Sequence, residues 1–383
     1  MTPLPFDSNL DLYRQQAGEL LAAWRAGDRE AMEIIRHNHP RFLDERVGWL
    51  PKNMSEEELR AAAFDSADAQ LALARWYNFA DWQALANYTA EVMQKNSALW
   101  NFESAVEAVI NGDAVALAKL LSEHPDLVRA RSTRVTAHDP PQHRATLLHY
   151  VAANGVENHR QRTPSNAVQI ARILLDAGAE PDALAEMYGG QCTTMSMLVS
   201  SCHPAQAGVQ VALVELLLDF GANVEDSGAG NWTSPLATAL AFGYQDAAEA
   251  LVRRGAQIKT LPAAAGLGRI ADAERLLPAA SAEDRHRAIA LAAQQGHVEV
   301  VRLLLDAGED PNRYNPEGNH SHSTPMHQAA LAGRLDVVRL LVERGARLDI
   351  KDTLWHGTPL GWAEYGGRTE VAAYLRSVGA TDE

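Results

Sequence analysis

Two histidines in a short polar stretch have the spacing of a metal-binding pair. The stretch GNHSHSTPMH begins at residue 318 and places His320 and His322 two positions apart. In an extended segment, side chains at that spacing point to the same side of the backbone. Imidazole binds transition metals, and His356 in a later turn would be a third ligand for a divalent metal. A His-x-His pair in a loop is a weak indication, so contact with a ligand or partner and local hydrogen bonding remain alternatives.

Charged and nucleophilic residues also lie in two inserted stretches, GVENHRQRTPSNA at residues 155–167 and SSCHPAQAG at residues 200–208. We expect the two insertions to touch, which makes Glu157 and Arg160 candidate binding residues. Together with Cys202 and His203, they could bind a metal or supply a nucleophile and a base. The alternative is a pair of polar loops that seals the contact between neighbouring helix pairs.

The elements that must position these residues are internal repeats. TPMHQAALAGRLDVVRLLVERGA starts at Thr324 and TPLGWAEYGGRTEVAAYLRSVGA at Thr358, and similar segments start at Ser234 and Arg287. A Thr or Ser cap followed by Pro starts a helix. Val and Leu at helical spacing then predict a second helix, which a late glycine ends in a left-handed conformation. Each copy therefore predicts two short antiparallel helices.

This pattern closely resembles the ankyrin repeat, whose signature is T-P-L-H-x-A-A, and the bacterial-type members with a helical N-terminal region. The resemblance implies an all-α fold, an ankyrin-repeat solenoid with short β-hairpin fingers and an N-terminal helical cap. We expect the cap at residues 1–100, with one ankyrin-like helix pair in it. About seven to eight repeats would fill residues 101–383, with insertions at residues 155–167 and 200–208 and a finger insertion at residues 319–323. His149 and His327 occupy the signature histidine position, where we expect hydrogen bonds to the backbone of the next repeat.

The candidate binding residues of the predicted fingers are aromatic or imidazole side chains. They are His143, Tyr188, Trp232, Tyr314, His320, His322, Trp355 and His356. Rings side by side suit a ligand with apolar and hydrogen-bonding faces, and packing of neighbouring fingers is the alternative. The resemblance implies an interaction protein that binds a protein partner or peptide through the concave face of fingers and inner helices. The irregular insertions leave open a small-molecule-binding protein or unusual enzyme, with a pocket of finger Tyr, Trp and His residues and with or without a metal.

Composition narrows the choice of partner. The net charge of −15 disfavours nucleic acid and acidic membranes. The two cysteines form no disulfide framework, and the N-terminus has no secretory pattern, so we expect a cytoplasmic protein. The closed helical cap and the acidic surface favour a monomer. No nucleophile elbow, phosphate-binding loop or zinc-protease motif identifies a catalytic residue, so whether the chain is an enzyme stays open. Glu103 and Glu107 are interpreted as one face of a helix without a chemical role.

Overall fold

The structure is a computed structural model that describes residues 1–155, 157–226, 228–230 and 233–381. These residues form two compact units. Unit 1 comprises residues 1–222 with residues 228–230, and unit 2 comprises residues 223–226 with residues 233–381. The end of the cap predicted at residue 100 lies inside unit 1.

Unit 1 consists of helices with one small antiparallel sheet. Its helices are α1 (Leu10–Arg25), α2 (Arg29–Asn38), α3 (Glu56–Ala61), α4 (Ser66–Trp76), α5 (Trp82–Val92), α6 (Ala98–Asn111), α7 (Ala114–Glu123), α8 (Leu147–Val151), α9 (Ala167–Asp176), α10 (Thr194–Leu198), α11 (Cys202–Gln206) and α12 (Gln210–Asp219). Its strands are β1 (Ala185–Met187), β2 (Gly190–Cys192) and β3 (Gly228–Gly230). Short 3-10 helices span Pro40–Phe42, Pro125–Arg129 and Asn158–Arg160.

Aromatic side chains form much of the core of residues 1–100, the predicted cap. Tyr13, Phe42 and Phe79 are each at most 2 % exposed, and Trp24 packs on Phe42 with ring centroids 5.8 Å apart. Asn78 lies in the left-handed region at φ 60° and separates α4 from α5. These helices therefore share an aromatic core, and their role as a cap over the first repeat stays a prediction.

The sheet of unit 1 is a finger hairpin extended by one strand. β1 pairs with β2 in antiparallel register, with Met187 opposite Gly190, and β2 pairs with β3. Tyr188 and Gly189 form the tip, and both have positive φ, as a two-residue hairpin turn requires. Gly228 has φ 113°, and a Cβ there would lie 1.8 Å from the Gln191 carbonyl oxygen. Only glycine therefore lets β3 approach this closely.

Unit 2 is built from antiparallel helix pairs. Its helices are α13 (Pro235–Ala241), α14 (Gln245–Arg253), α15 (Leu261–Gly266), α16 (Ile270–Leu276), α17 (Ala282–Gln295), α18 (Val298–Asp306), α19 (Pro325–Ala332), α20 (Leu335–Glu343), α21 (Pro359–Tyr365) and α22 (Thr369–Ser377). Small alanines on the first helices, such as Ala329 and Ala330, are fully buried together with Val338 and Leu341 of α20. Helix α17 begins before Arg287, where the aligned repeat starts, because Ser281 caps it through the Asp284 N–H.

The predicted fold class, an all-α repeat fold with short β-hairpins, is confirmed. One local expectation is wrong: residues 200–208, predicted to be a loop, contain the helix α11. Helix α11 follows the N-cap residue Ser201 and carries Pro204 in its first turns, where the missing N–H costs nothing. No helix in the described part of the chain is both long and apolar enough to span a membrane.

Candidate functional site

The structure separates the predicted binding residues into two groups. His143, Tyr188, Glu157 and Arg160 belong to unit 1. Tyr314, His320, His322, Trp355 and His356 belong to unit 2. Trp232 lies outside the described residues. The two groups differ in environment, since the unit 1 group surrounds buried charges and the unit 2 group forms a partly exposed row of rings.

Four buried charged side chains of unit 1 form one cluster, the buried charge cluster, composed of Glu103, Arg134, Glu157 and Arg160. Glu103 on α6 is 1 % exposed and accepts a hydrogen bond from Arg134 Nη2 at 3.1 Å. Its Oε2 atom also forms an ion pair with Arg160 Nη2, 2.5 Å away. Arg160 Nη1 lies 3.2 Å from Glu157 Oε2. Glu107, one turn beyond Glu103, lies 3.4 Å from Arg160 at the more exposed edge of the cluster.

Aromatic rings of the cap position Arg134. Its guanidinium carbon lies 4.6 Å from the ring centre of Phe79 and 4.8 Å from that of Tyr88. Its Nη1 group donates to the Tyr77 carbonyl oxygen at 3.2 Å. Cation–π contacts of this kind are strongest where water is excluded. Arg134 therefore ties the cap to α6 and to the inserted loop.

The charges of the cluster are mutually balanced. Burial alone would raise the pKa of Glu157, but Arg134 and Arg160 hold that pKa below its usual value. Burial and the same two arginines lower the pKa of His159 to about 2. Burial lowers the pKa of His143 to about 4. The interior thus holds two guanidinium groups, the ionised carboxylate of Glu157 and the neutral imidazoles of His143 and His159 near pH 7.

Half of this cluster is predictable from the sequence. The inserted stretch makes Glu157 and Arg160 candidate binding residues, whereas no sequence pattern marks Glu103 or Arg134 as a candidate. Glu103 and Glu107 lie on one helix, α6, but the side chain of Glu103 is buried against two arginines rather than exposed. The absence of a chemical role for this pair stays a prediction. The helical spacing indicates that Glu103 is buried. Glu103 precedes Val106 and Ile110 by three and seven positions and so shares the buried face of α6.

The second inserted stretch forms hydrogen bonds with the two residues that immediately precede the first stretch, and not with the groups predicted. Asn154 donates to the Ser200 hydroxyl at 2.8 Å, and Ser201 donates to the Ala153 carbonyl at 3.1 Å. Cys202 is exposed, whereas Glu157 and Arg160 turn inward to α6. Among the described residues, no three His, Cys, Asp or Glu side chains lie close enough together to hold a metal ion.

Five rings of unit 2 form a continuous row, here called the ring surface: Phe242, His320, His322, Trp355 and Trp362. The ring centroids of Phe242 and His320 are 6.3 Å apart, and those of His320 and His322 are 6.0 Å apart. His322 continues to Trp355 at 5.0 Å and to Trp362 at 5.7 Å. Most of these contacts are edge-to-face, the arrangement that the ring quadrupoles favour.

The finger insertion lies against the inner helices. His320 Nε2 donates to the Ala241 carbonyl oxygen at the end of α13, 3.0 Å away. Asn319 is 1 % exposed, and the Thr353 N–H of the next finger donates to the His322 carbonyl at 2.9 Å. These contacts fix the ring surface before any partner binds.

An ionised carboxylate is hydrogen-bonded to both tryptophans of the ring surface. Asp352 accepts from the N–H groups of Trp355 and Gly357 at 2.7 and 2.8 Å, and from Trp362 Nε1 at 3.0 Å. Burial alone would raise the pKa of Asp352, but these hydrogen bonds hold it below its usual value. The ring surface therefore combines electron-rich ring faces with a negative charge.

A divalent metal at His320, His322 and His356 stays a prediction. The Nε2 atom of His320 is engaged by Ala241, and the rings of His320 and His322 are nearly perpendicular. Burial lowers the pKa of both histidines, which keeps them neutral as metal ligands must be. Elemental analysis of the purified protein tests this prediction.

Histidine 320 can be compared directly with His356, because both lie in the left-handed region at φ 57°. Asparagine tolerates that backbone conformation. We expect His320→Asn to lower the free energy of unfolding by about 1 kcal/mol, since it removes the hydrogen bond to Ala241. His356→Asn, at an exposed position, should change it by less than about 0.5 kcal/mol. If urea denaturation gives the same free energy of unfolding for both variants, the hydrogen bond from His320 to Ala241 contributes no stability.

Histidines 149 and 327 have the structural role that the sequence predicts. His149 Nδ1 accepts from the Thr146 N–H at 3.2 Å, and its Nε2 faces the Cys192 carbonyl oxygen at 3.4 Å. His327 repeats both contacts, with Thr324 at 3.2 Å and with the Gly357 carbonyl at 3.1 Å. Each neutral imidazole therefore caps its own helix and holds the next finger.

Comparison with known proteins supports the repeat assignment. The family model described as ankyrin repeats (3 copies) matches residues 261–352 and 290–382. Cyclin-dependent kinase 4 inhibitor B of Bos taurus is 35% identical over 118 residues, which cover 23% of this chain and 89% of the relative. Cyclin-dependent kinase inhibitor 2A of Monodelphis domestica is 41% identical over 83 residues, 22% of this chain and 46% of the relative. Ankyrin repeat and KH domain-containing protein mask-1 of Caenorhabditis elegans is 31% identical over 220 residues, 55% of this chain and 8% of the relative.

Proposed function

This chain belongs to the ankyrin-repeat family, and we propose that it binds a protein partner through the ring surface of unit 2. The observation that carries this proposal is the exposure of large rings in one row. Trp355 is 56% exposed and Phe242 is 50% exposed, although both are large enough to contribute to a core. Tyr314, in the same finger as His320, is 42% exposed.

Exposed aromatic groups of this kind are typical of binding surfaces. Tryptophan and tyrosine are enriched among the residues that dominate binding energy, because they bury a large area with few rotatable bonds. The bonds from His320 to Ala241 and from Thr353 to His322 hold the finger in place. A surface that is ordered in advance loses less entropy on binding.

The relatives support a protein as the partner. Two of them are named as inhibitors of cyclin-dependent kinases, and an inhibitor of that kind acts on another protein. The alternative of a pocket enclosed by finger residues is less well supported, since Trp355 and Tyr314 are open to solvent.

Charge indicates which kind of partner segment would fit. The chain carries a net charge of −15, and Asp352 adds a buried negative charge that is hydrogen-bonded to Trp355 and Trp362. Cationic side chains bind the faces of tryptophan rings, and opposite net charge accelerates association. We therefore propose a partner segment with an exposed arginine or lysine. A second copy of this chain has the same acidic charge, so we propose that the chain acts as a monomer.

Photo-crosslinking tests the proposal. We expect Trp355→p-benzoylphenylalanine in the full chain to give one discrete protein adduct when irradiated in an extract of its native cell. The matched control is Ile270→p-benzoylphenylalanine, at an exposed apolar position at the start of α16, which should not give that adduct. The same adducts from both positions, or none from position 355, would contradict a binding role for the ring surface.

A further inference from the structure

Unit 1 contains a cavity of about 270 Å³ beside the buried charge cluster. The N-terminal segment, α1, α5, α6 and the inserted loop each contribute side chains to its wall. The Leu4 N–H donates to the Tyr77 hydroxyl at 2.8 Å, which fixes the N-terminal segment over the cavity. Its size suits a molecule with a single ring, since binding pockets for larger ligands start at roughly 300 Å³.

The walls of this cavity are largely aromatic. Tyr13, Tyr77 and Tyr88 line it, with the rings of Tyr13 and Tyr77 edge-to-face at 5.0 Å. His159 also lines it and stacks on Trp76, with centroids 6.3 Å apart and an angle of 22°. Burial raises the pKa of Tyr13 and Tyr88, so their hydroxyls stay protonated. Flat walls with hydroxyl donors favour a planar ring over a flexible chain.

Positive charge predominates among the groups that line the cavity. Arg134, Arg160 and Arg162 line it, against the single carboxylate of Glu107. Glu103, which balances the two inner arginines, is not part of the wall. The charged groups that a ligand in the cavity would contact are therefore mainly guanidinium groups.

Arg134 and Arg160 each have a hydrogen-bond donor that is not used among the residues that the structure describes. Arg134 and Arg160 are 5% and 4% exposed, and the Nε–H group of each has no hydrogen-bond partner within the described part of the chain. Glu157 Oε1 lies 3.7 Å from Arg134 Nε, which is too long for a hydrogen bond. Buried donors without acceptors are rare in folded proteins, because each costs free energy. A carboxylate supplies two acceptor oxygens to such a pair of arginines.

We propose that this cavity binds a small planar-ring carboxylate, with the ring against the tyrosine side chains and the carboxylate at Arg134, Arg160 and Arg162. This site is separate from the ring surface, since its residues all lie in unit 1. It gives the inserted loop at residues 155–167 a role, because that loop supplies His159, Arg160 and Arg162.

Benzoate is the probe for this proposal, with benzamide as its uncharged counterpart. We expect benzoate to bind the full chain at a single site in isothermal titration calorimetry, and to raise the melting temperature of unit 1 by mass action. Benzamide should bind at least about tenfold more weakly, since the loss of a charge-assisted hydrogen bond corresponds to that factor or more.

Two arginine variants locate the site without disturbing the buried cluster. Arg162→Gln, at an exposed residue whose Nη1 lies 3.5 Å from Asn111 Oδ1, should weaken benzoate about tenfold. Arg14→Gln, on the exposed side of α1, should leave the affinity unchanged. Equal affinities for benzoate and benzamide, equal effects of the two variants, or no binding of benzoate at millimolar concentration would each overturn the proposal. Partner crosslinking at position 355 is unaffected by any of these results.

Discussion

Replacing Glu103 by glutamine should lower the free energy of unfolding of unit 1 by about 3–5 kcal/mol. Glu103 is 1% exposed and is shared by Arg134 and Arg160. Without its charge, two buried guanidinium groups would face each other with Glu157 as their remaining buried counter-ion. Urea denaturation followed by tryptophan fluorescence measures the loss, because Trp24, Trp76 and Trp82 report on unit 1.

The neighbouring carboxylate provides a control for that substitution. Glu107→Gln removes the same charge from the same helix, one turn away, at a side chain that is 31% exposed and 3.4 Å from Arg160. A partly solvated pair of this kind contributes at most about 1 kcal/mol. Similar losses for both variants would mean that burial of the cluster has no energetic consequence.

Acidification should destabilise unit 1 through His149. Burial lowers the pKa of this imidazole to about 4. Its Nδ1 accepts from the Thr146 N–H, so protonation of that nitrogen would set two N–H groups against each other. Between about pH 6.5 and pH 4 the unfolded chain binds more protons than the folded chain, so stability falls as the pH falls through this range. The expected loss is on the order of 3 kcal/mol.

A variant without the imidazole isolates this contribution. His149→Gln should be less stable than the natural chain at pH 7.5, and the difference in free energy of unfolding should shrink as the pH approaches 4. His356→Gln removes an exposed imidazole and serves as the control for the loss of a histidine side chain. If the His149→Gln difference is constant from pH 7.5 to pH 4, the acid sensitivity has another source.

The repeat architecture and the role of its histidines were predictable because they depend on local pattern. Thr324 and Pro325 start α19 through capping and backbone preference, which act within one helical turn. His327 follows at the third helical position, where its contact with Thr324 is also local. Periodic local patterns of this kind can be recognised in a single sequence.

The buried charge cluster could not be predicted as a whole, because its members meet only after folding. Arg134 is 31 positions from Glu103 and lies in an irregular segment with no periodic pattern. The packing of the finger insertion on α13 could not be predicted either, since His320 contacts Ala241 across 79 positions of the sequence. Long-range polar contacts depend on the packing of several helices, and the spacing of residues along the chain does not encode them.

The affinity of the crosslinked partner for Trp355→Ala tests the central claim most directly. The claim is that the ring surface of unit 2 binds a protein, with Trp355 as its main anchor. Loss of such an anchor typically costs about 2 kcal/mol or more, which corresponds to about thirtyfold. We predict that the purified partner binds Trp355→Ala at least that much more weakly than the natural chain, while Ile270→Ala binds as the natural chain does. Equal affinity for all three proteins would contradict the claim.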